Sequence, residues 1–279
     1  MDELKKTLQR ILYYTKVRIG MGRIKTEQDL ERAIKNICAQ GKWYKSREAF
    51  HKNGTRKKVD GEAGRILEKL LGIPENNRRS ADIVFKDGTE CEVKTNKSKT
   101  KVTLGCLSPV WAIPQRQAIK QYGIDKPGDA CRFNATFKAG AGPSRGLTTE
   151  HKSKTIDIAD EATKKGVMSW KISNVVNKFT KKIPNMVHVK AIKRKVDGRE
   201  EYKFVSSDYY SNFNPQRFKE QLSDGKIVIE PRSKIDYTKN NTIRDRGTAF
   251  RVGPKNLTEM FDNSAAWVVN KINKKKKKK

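Results

Sequence analysis

Hydrophobic residues recur at helical spacing near the start of the chain. Thr26 is followed by an acidic stretch, which is typical of the first turn of a helix. Apolar residues then return every three or four positions until Gly41, and they are Leu30, Ala33, Ile34, Ile37 and Cys38. This spacing predicts an amphipathic helix that buries one face.

A shorter helix is predicted over residues 61–73, and Gly72 ends it. Its apolar stripe consists of Ile66, Leu67, Leu70 and Leu71. Glu68 lies off the stripe, and Gly64 and Gly72 stand four residues before and after it. These glycines leave the carboxylate uncrowded on its own face of the helix, although an ordinary exposed glutamate beside Lys69 fits the same pattern.

The later part of the chain mixes helices and strands. A helix is predicted over residues 169–183, a hairpin around Asp197-Gly198, and a helix capped by Asn214-Pro215. Residues 223–225 then turn into the strand KIVIE. The mixture predicts an α/β fold with a mixed central β-sheet flanked by helices.

The domain organisation follows from the absence of repeats and long linkers. We expect an N-terminal helical lead over residues 1–40 and one continuous domain over residues 41–270. The remaining residues 271–279 are nearly all lysine and are predicted to be a disordered tail.

The segment DIVFKDGTECEVKT, residues 82–95, predicts a β-hairpin. A three-residue loop over residues 86–88 pairs residue 85 with residue 89 and puts Asp82 opposite Glu92. That register also gathers the apolar side chains on one face, and they are Ile83, Phe85, Cys91 and Val93. A two-residue loop would mix them with the charged residues, so the three-residue loop is predicted, with Asp82, Glu92 and Lys94 on the opposite face.

The charged face of this hairpin predicts a metal site. Opposed carboxylates repel each other unless a cation lies between them, and the oxygens of Asp82 and Glu92 suit Mg²⁺. Lys94 beside the cation can orient an attacking water and balance charge on a phosphate. Glu-x-Lys alone is a weak signal, because it recurs at Glu3, Glu150 and Glu201, and a salt-bridged hairpin surface without chemistry also fits.

Charge indicates the kind of partner. The 279 residues include 62 Lys and Arg against 31 Asp and Glu, a net charge of +31. Such an excess weakens a fold by self-repulsion unless a polyanion binds, and nucleic acid is the usual polyanion. In the basic segment over residues 41–58, Trp43 and Asn53 are candidates for DNA contacts, although a solvated loop with buried aromatic residues fits as well.

Several classes of protein are disfavoured. No stretch of eighteen apolar residues occurs and MDELKKTLQR is no signal peptide, so we expect a cytoplasmic protein without membrane contact. The four cysteines lack CxxC spacing and only three histidines accompany them, which argues against zinc and for reduced thiols.

Residues 61–95 as a whole resemble the catalytic segment of the PD-(D/E)xK nucleases of the MutH, MvaI and BcnI type. That segment reads Gly-x-x-Gly-x-x-Leu-Glu-x-x-Leu-Gly, then Asp, then Glu-Leu-Lys-Thr. The matching residues are Gly61, Gly64, Leu67, Glu68, Leu71, Gly72, Asp82, Glu92, Lys94 and Thr95. Weaker similarity follows in the same order through TLGCLSPVW, FKEQLSDGKIVIEPRS and IRDRGTAFRV, so the resemblance covers nearly the whole chain from residue 41.

The resemblance implies a type II restriction endonuclease that cleaves double-stranded DNA at a specific sequence with Mg²⁺, on a PD-(D/E)xK restriction-endonuclease-like core. Carried over by position, Asp82 and Glu92 would bind the metal and Lys94 would serve the attacking water. Glu68 would be the helical carboxylate near the metal. The resemblance also implies a monomer with one active site that needs no protein partner.

The segment IRDRGTAFRV supplies the candidates for DNA contacts, which are Arg244, Arg246, Thr248 and Arg251. Relatives of the BcnI type have a histidine just before Gly-Thr, where this chain has Arg246, so their base preference does not carry over. Two other functions stay open. One is a repair-type nicking endonuclease of the same fold, and the other is a basic nucleic-acid-binding protein without catalysis.

Overall fold

The computed structural model describes residues 24–47, 61–74, 81–97 and 100–269. The chain divides into two compact units, each built from separate stretches of sequence. The first unit takes in residues 1–98, 187–209 and 265–279, and the second takes in residues 99–186 and 210–264. Most of the predicted helical lead and all of the lysine tail lie outside the described residues, so the predicted division of the chain stays a prediction.

The described residues form helices and strands throughout both units. The helices are α1 (Glu27–Ala39), α2 (Glu62–Leu70), α3 (Gln115–Tyr122), α4 (Ile172–Lys182) and α5 (Pro215–Ser223). The strands are β1 (Tyr44–Lys45), β2 (Ile83–Val84), β3 (Glu90–Lys97), β4 (Val102–Cys106), β5 (Val110–Trp111), β6 (Ile124–Lys126), β7 (Ala130–Asn134), β8 (Leu147–His151), β9 (Thr155–Asp160), β10 (Gly166–Lys171), β11 (Met186–Val196), β12 (Arg199–Phe213), β13 (Ile227–Glu230), β14 (Arg232–Asp236), β15 (Thr242–Asp245), β16 (Ala249–Val252) and β17 (Phe261–Val268). None of these helices is long and apolar enough to span a membrane, within the ranges described.

The first unit is built on a mixed arrangement of strands and helices around one core. Its sheet has the strand order β1-β12-β11-β3-β2, and β17 pairs with β12. Helices α1 and α2 bury Leu30, Ile34 and Leu67 in a single cluster that includes Cys91 and Val93 of β3. The core therefore lies against the strand that carries Glu92 and Lys94, two of the predicted catalytic residues.

Helix α1 confirms the pattern at the start of the chain. The Thr26 hydroxyl accepts from the Asp29 backbone N–H at 3.1 Å, and the Asp29 carboxylate accepts from the Thr26 N–H at 3.2 Å. This reciprocal cap satisfies N–H groups that have no partner inside the helix. The chain leaves the helix through Gly41, whose φ of +60° favours glycine.

The second unit contains three antiparallel sheets, with strand orders β5-β10-β9-β8, β13-β16-β4 and β15-β14-β7-β6. Helices α4 and α5 meet over its core, where the ring centroids of Phe179 and Phe218 are 5.3 Å apart. Phe250 of β16 lies 5.3 Å from Phe179 and 6.2 Å from Trp170. Aromatic packing thus joins the helices to two of the sheets.

The predicted α/β class is confirmed, and one predicted element is partly wrong. The helix expected over residues 169–183 begins only at Ile172. Residues 169–171 end β10, where Trp170 pairs with Ile156 of β9 and is 2 % exposed. Pairing with a neighbouring strand overrides the helical pattern here, because the strand buries the large aromatic side chain of Trp170.

The predicted hairpin at Asp197-Gly198 and the predicted helix cap at Asn214-Pro215 are confirmed. Asp197 and Gly198 adopt φ values of +49° and +73°, which is the backbone of a tight two-residue hairpin between β11 and β12. The Asn214 side chain caps α5 by accepting from the Gln216 N–H at 3.1 Å, with Pro215 at the first helical position.

Candidate active site

The hairpin of β2 and β3 has the register that the sequence predicts. Ile83 lies opposite Cys91 and Val84 opposite Glu90, so the next position outward places Asp82 opposite Glu92. The Phe85 N–H donates to the Thr89 carbonyl at 2.8 Å, which closes a loop of residues 86–88. Gly88 takes a φ of +83°, the left-handed conformation that this loop requires.

The apolar face of the hairpin is buried, as the pattern requires. Its side chains are at most 7 % exposed, and they are Ile83, Phe85, Cys91 and Val93. Burial of this face fixes the register, because a slip by one residue would turn all four toward the charged side. The opposite face carries Glu92 and Lys94 two residues apart on β3.

Asp82 is held by the neighbouring strand. Its Oδ2 accepts a hydrogen bond from the Val93 N–H at 2.9 Å, just beyond the end of β2. The carboxylate thus accepts from a backbone N–H that the main chain of the short strand β2 does not reach. Only Oδ2 takes part in this bond. This contact ties Asp82 to the residue between Glu92 and Lys94.

Glu92 and Lys94 form an ion pair in which the Lys94 ammonium donates to Oε1 of Glu92. The Glu92 side chain is only 1 % exposed, whereas that of Lys94 is 21 % exposed. Burial lowers the pKa of Lys94, but the negative charges of Glu92, Asp82 and Glu68 outweigh it and raise the pKa above its ordinary value. Lys94 is thus a cation at neutral pH and acts as a donor of hydrogen bonds.

Glu68 approaches from helix α2, which passes close to β3 at Gly64. A Cβ atom at Gly64 would lie 3.4 Å from the Thr95 hydroxyl and 3.8 Å from Oε1 of Glu68. The missing side chain lets the helix approach the strand and leaves the Glu68 carboxylate room. The negative charge of Glu68 contributes to the raised pKa of Lys94, so it acts on the same group as Asp82 and Glu92.

The start of helix α2 is anchored by a buried carboxylate. Glu62 is 2 % exposed, accepts from the Arg47 N–H at 2.8 Å and forms ion pairs with Arg47 and Arg65. Burial raises the pKa of Glu62, but hydrogen bonds and charge from both arginines outweigh burial and lower it overall. This anchor fixes the helix from which Glu68 projects.

The donor atoms of the site fit Mg²⁺. Within the described ranges, no group of three or more His, Cys, Asp and Glu side chains is placed to hold a metal ion by itself. Mg²⁺ is commonly held by one or two carboxylates, while water and phosphate oxygens complete its octahedron. Asp82 and Glu92, opposed on neighbouring strands, are carboxylates of this kind.

A buried polar pair, which the sequence analysis did not name, lies farther along the same strand. Asn96 follows Lys94 by two residues, so it shares the charged face of β3, and its Oδ1 lies 2.9 Å from Nε2 of His188. Asn96 is 6 % and His188 4 % exposed. Alternation along β3 would have found Asn96, but no local pattern points to His188, which is 92 positions away in sequence.

His188 gives the protein a predicted acid sensitivity. Burial, with a smaller effect of Lys190, lowers the pKa of His188 from 6.5 to about 4. Between these values the unfolded chain binds a proton that the folded protein does not. The free energy of unfolding is therefore expected to fall by about 3 kcal/mol as the pH drops through this window.

Urea denaturation between pH 7 and pH 4 tests this expectation. In His188→Gln, which keeps a donor for Asn96 but cannot titrate, that part of the pH dependence should be missing. An equal loss of stability in both proteins would show that His188 is not its source.

The predicted DNA contacts in the second unit differ in exposure. Arg244 and Arg246 are exposed, and Arg244 lies 3.6 Å from the Asp236 carboxylate. Thr248 is 2 % exposed, and Arg251 forms an ion pair with Glu230 at 2.8 Å. The exposed pair Arg244 and Arg246 is accordingly better placed to reach a ligand than Thr248 or Arg251.

The turn between these two arginines is held by side chains that the sequence analysis did not name. Oδ1 of Asp245 accepts from the Gly247 N–H at 2.7 Å, and its Oδ2 accepts from the Gln115 amide at 3.0 Å. Gln115 also donates to the Ser233 hydroxyl at 3.2 Å. The Asp-x-Gly spacing was visible in the sequence, whereas the contact with α3 was not.

The remaining candidates lie elsewhere. Trp43 belongs to the first unit, is half-buried and has the Arg194 guanidinium 4.3 Å from its ring centre. Asn53 lies outside the described residues. The structure thus gathers Asp82, Glu92, Lys94 and Glu68 in one unit, whereas Arg244 to Arg251 belong to the other.

Known proteins similar to this chain are restriction endonucleases. The model of the MvaI/BcnI restriction endonuclease family matches residues 32–261. A solved complex of restriction endonuclease MvaI with its cognate DNA substrate is 20% identical, with a TM-score of 0.68 over 86% of this chain and 97% of that one. MvaI without DNA is 18% identical, with a TM-score of 0.46 over 86% and 96% of the two chains. A search of curated proteins gives no match.

Proposed function

The chain belongs to the MvaI/BcnI restriction endonuclease family, and we propose that it hydrolyses phosphodiester bonds of double-stranded DNA at a short specific sequence. The observation that carries this proposal is the hairpin register, which brings Asp82, Glu92 and Lys94 together. The net charge of +31 supports a polyanionic substrate.

The cofactor in this proposal is Mg²⁺, held by the carboxylates of Asp82 and Glu92. When bound, the cation supplies Lewis-acid stabilisation of the charge that develops on the scissile phosphate. Lys94 lies beside both carboxylates as a cation, so it can donate a hydrogen bond to the attacking water and to a phosphate oxygen. Water forms the new bond to phosphorus as one ester bond breaks, which leaves a phosphate on one end and a hydroxyl on the other.

Glu68 completes the charge balance of this site. The negative charges of Glu68, Asp82 and Glu92 all act on Lys94, and carboxylates gathered in this way favour a divalent cation. The Gly64 contact with β3 sets the position of the helix that carries Glu68. We infer that Glu68 acts on Lys94 and on water near the metal rather than as a direct ligand.

Sequence recognition is proposed to come from the second unit. Arg244 and Arg246 are exposed on either side of Asp245, and guanidinium groups bind guanine edges in the major groove or backbone phosphates. The Gln115 and Gly247 contacts of Asp245 hold this turn in place before DNA binds. We further propose a cytoplasmic monomer with one active site.

Incubation with unmethylated plasmid tests the proposed function. With Mg²⁺ the protein should yield DNA ends that share one short motif when sequenced, and with EDTA it should yield none. Products with a break in one strand only would favour a repair-type nicking enzyme. Plasmid that is bound but stays intact with every divalent metal would leave a nucleic-acid-binding protein without catalysis.

A further inference from the structure

A basic cavity lies in the second unit, apart from the turn that carries Arg244 and Arg246. It encloses about 710 Å³ between the β8–β9 turn, the junction of β10 with α4, and the end of α5. Four lysines line it, Lys152, Lys154, Lys171 and Lys219, together with three serines and no acidic residue. We call it the lysine cavity.

Three of these lysines are not neutralised within the described part of the chain. Lys152 forms ion pairs with Asp157 at 2.9 Å and with Glu150 at 3.4 Å. Lys154, Lys171 and Lys219 are exposed, and no described carboxylate lies within ion-pair distance of them. Three like charges around one concave space repel each other, so an anion in the space would lower the energy of the folded protein.

The backbone adds to this preference for an anion. Helix α4 is 11 residues long and begins at Ile172 on the wall of the lysine cavity, so the positive end of its dipole faces the lysines. The Ile172 N–H donates to the Lys154 carbonyl at 2.9 Å, which holds the β8–β9 turn against the helix. Lys171 precedes the helix without a side-chain cap.

Hydrogen bonds link the lysine cavity to the turn with the predicted DNA contacts. Trp170, next to Lys171, donates from its indole N–H to the Leu107 carbonyl at 3.0 Å. The Leu107 N–H in turn donates to the Thr248 carbonyl at 2.9 Å, two residues after Arg246. Both features therefore rest on the same packed framework within the second unit.

We propose that the lysine cavity binds backbone phosphates of the DNA duplex and serves as a sequence-independent anchor in addition to the turn that carries Arg244 and Arg246. The proposal rests on the proposed function, because it takes DNA as the ligand. The volume of the lysine cavity, about 710 Å³, leaves room for more than one phosphate of a DNA strand. Lysine, as a compact charge on a flexible stem, suits phosphate without regard to base sequence.

The test is the salt dependence of DNA binding by the full chain without cleavage, in EDTA. The triple variant Lys154→Ala, Lys171→Ala, Lys219→Ala is compared with a control triple variant of the second unit, Lys138→Ala, Lys181→Ala, Lys255→Ala. The control lysines are exposed, and none has a carboxylate partner among the described residues. Both variants lose the same charge.

Each lost phosphate contact should reduce the slope of log K against log salt by about 0.9. The cavity variant should lose about two contacts' worth of slope, equally for duplexes with and without the target site, while the control changes it little. Equal slopes in the two variants would overturn the proposed anchor. The proposed function would still stand in that case, provided that the wild-type protein binds and cleaves DNA. Wild-type protein that neither binds nor cuts DNA would overturn both.

Discussion

Replacing Lys94 with alanine is expected to slow single-turnover DNA cleavage by on the order of 10²–10³-fold, while the dissociation constant for DNA changes little. The ammonium interacts with the negative charges of Glu92, Asp82 and Glu68, so its removal takes a positive charge away from these carboxylates. The loss should appear in the chemical step, measured with enzyme in excess over DNA. Binding is measured separately in EDTA.

Two matched variants sharpen this prediction. Lys86→Ala removes an exposed lysine from the loop of the same hairpin and should cleave at the wild-type rate. Lys94→Arg keeps the charge but replaces a compact ammonium by a planar guanidinium, so it should recover only part of the rate. If Lys94→Ala cleaved DNA as fast as Lys86→Ala, the ion pair with Glu92 would be merely structural.

Asp82→Asn is expected to reduce cleavage by on the order of 10³-fold, at a Mg²⁺ concentration that saturates wild type, with little change in stability, because a charged metal ligand is worth several kcal/mol. The amide oxygen of asparagine can still accept from the Val93 N–H, so the hairpin keeps its bond. The rate should recover partly at higher Mg²⁺, since the remaining ligand is Glu92. Single-turnover rates across a range of Mg²⁺ concentrations measure this.

A shorter side chain separates the two roles of Asp82. Asp82→Ala should lose cleavage to the same extent and also about 1–3 kcal/mol of stability, because the Val93 N–H is left without an acceptor. Asp87→Asn, in the loop of the same hairpin, preserves the acceptor for the Thr89 N–H and should leave the rate unchanged. An active Asp82→Asn protein would refute the proposed role of this carboxylate.

Much of the candidate site could be predicted because its determinants are local. The register of the hairpin follows from one glycine in a three-residue loop and from the alternation of Ile83, Phe85, Cys91 and Val93. The cap of α1 at Thr26 is equally local. In both places the short-range pattern and the buried face demand the same structure, so the sequence suffices.

The rest depends on contacts between distant parts of the chain. Ser169 to Lys171 fit a helical pattern, but pairing with β9 makes them a strand. His188 meets Asn96 only because β11 lies beside β3 in the sheet, and Gln115 meets Asp245 across 130 residues. Each of the two units is assembled from separated segments. Hydrophobic periodicity within a short stretch of sequence cannot reveal contacts between residues so far apart.

The dependence of cleavage on Mg²⁺ in wild type and in Glu92→Gln tests the central claim most directly. Both proteins are incubated with the same duplex, and single-turnover rates are measured from EDTA to saturating Mg²⁺ alongside DNA binding and thermal stability. The proposed site predicts no cleavage by wild type in EDTA, a saturable rate with Mg²⁺, and no detectable cleavage by Glu92→Gln although it still folds and binds DNA. Cleavage by wild type in EDTA, or by Glu92→Gln at the wild-type rate, would contradict a metal-dependent centre at this hairpin.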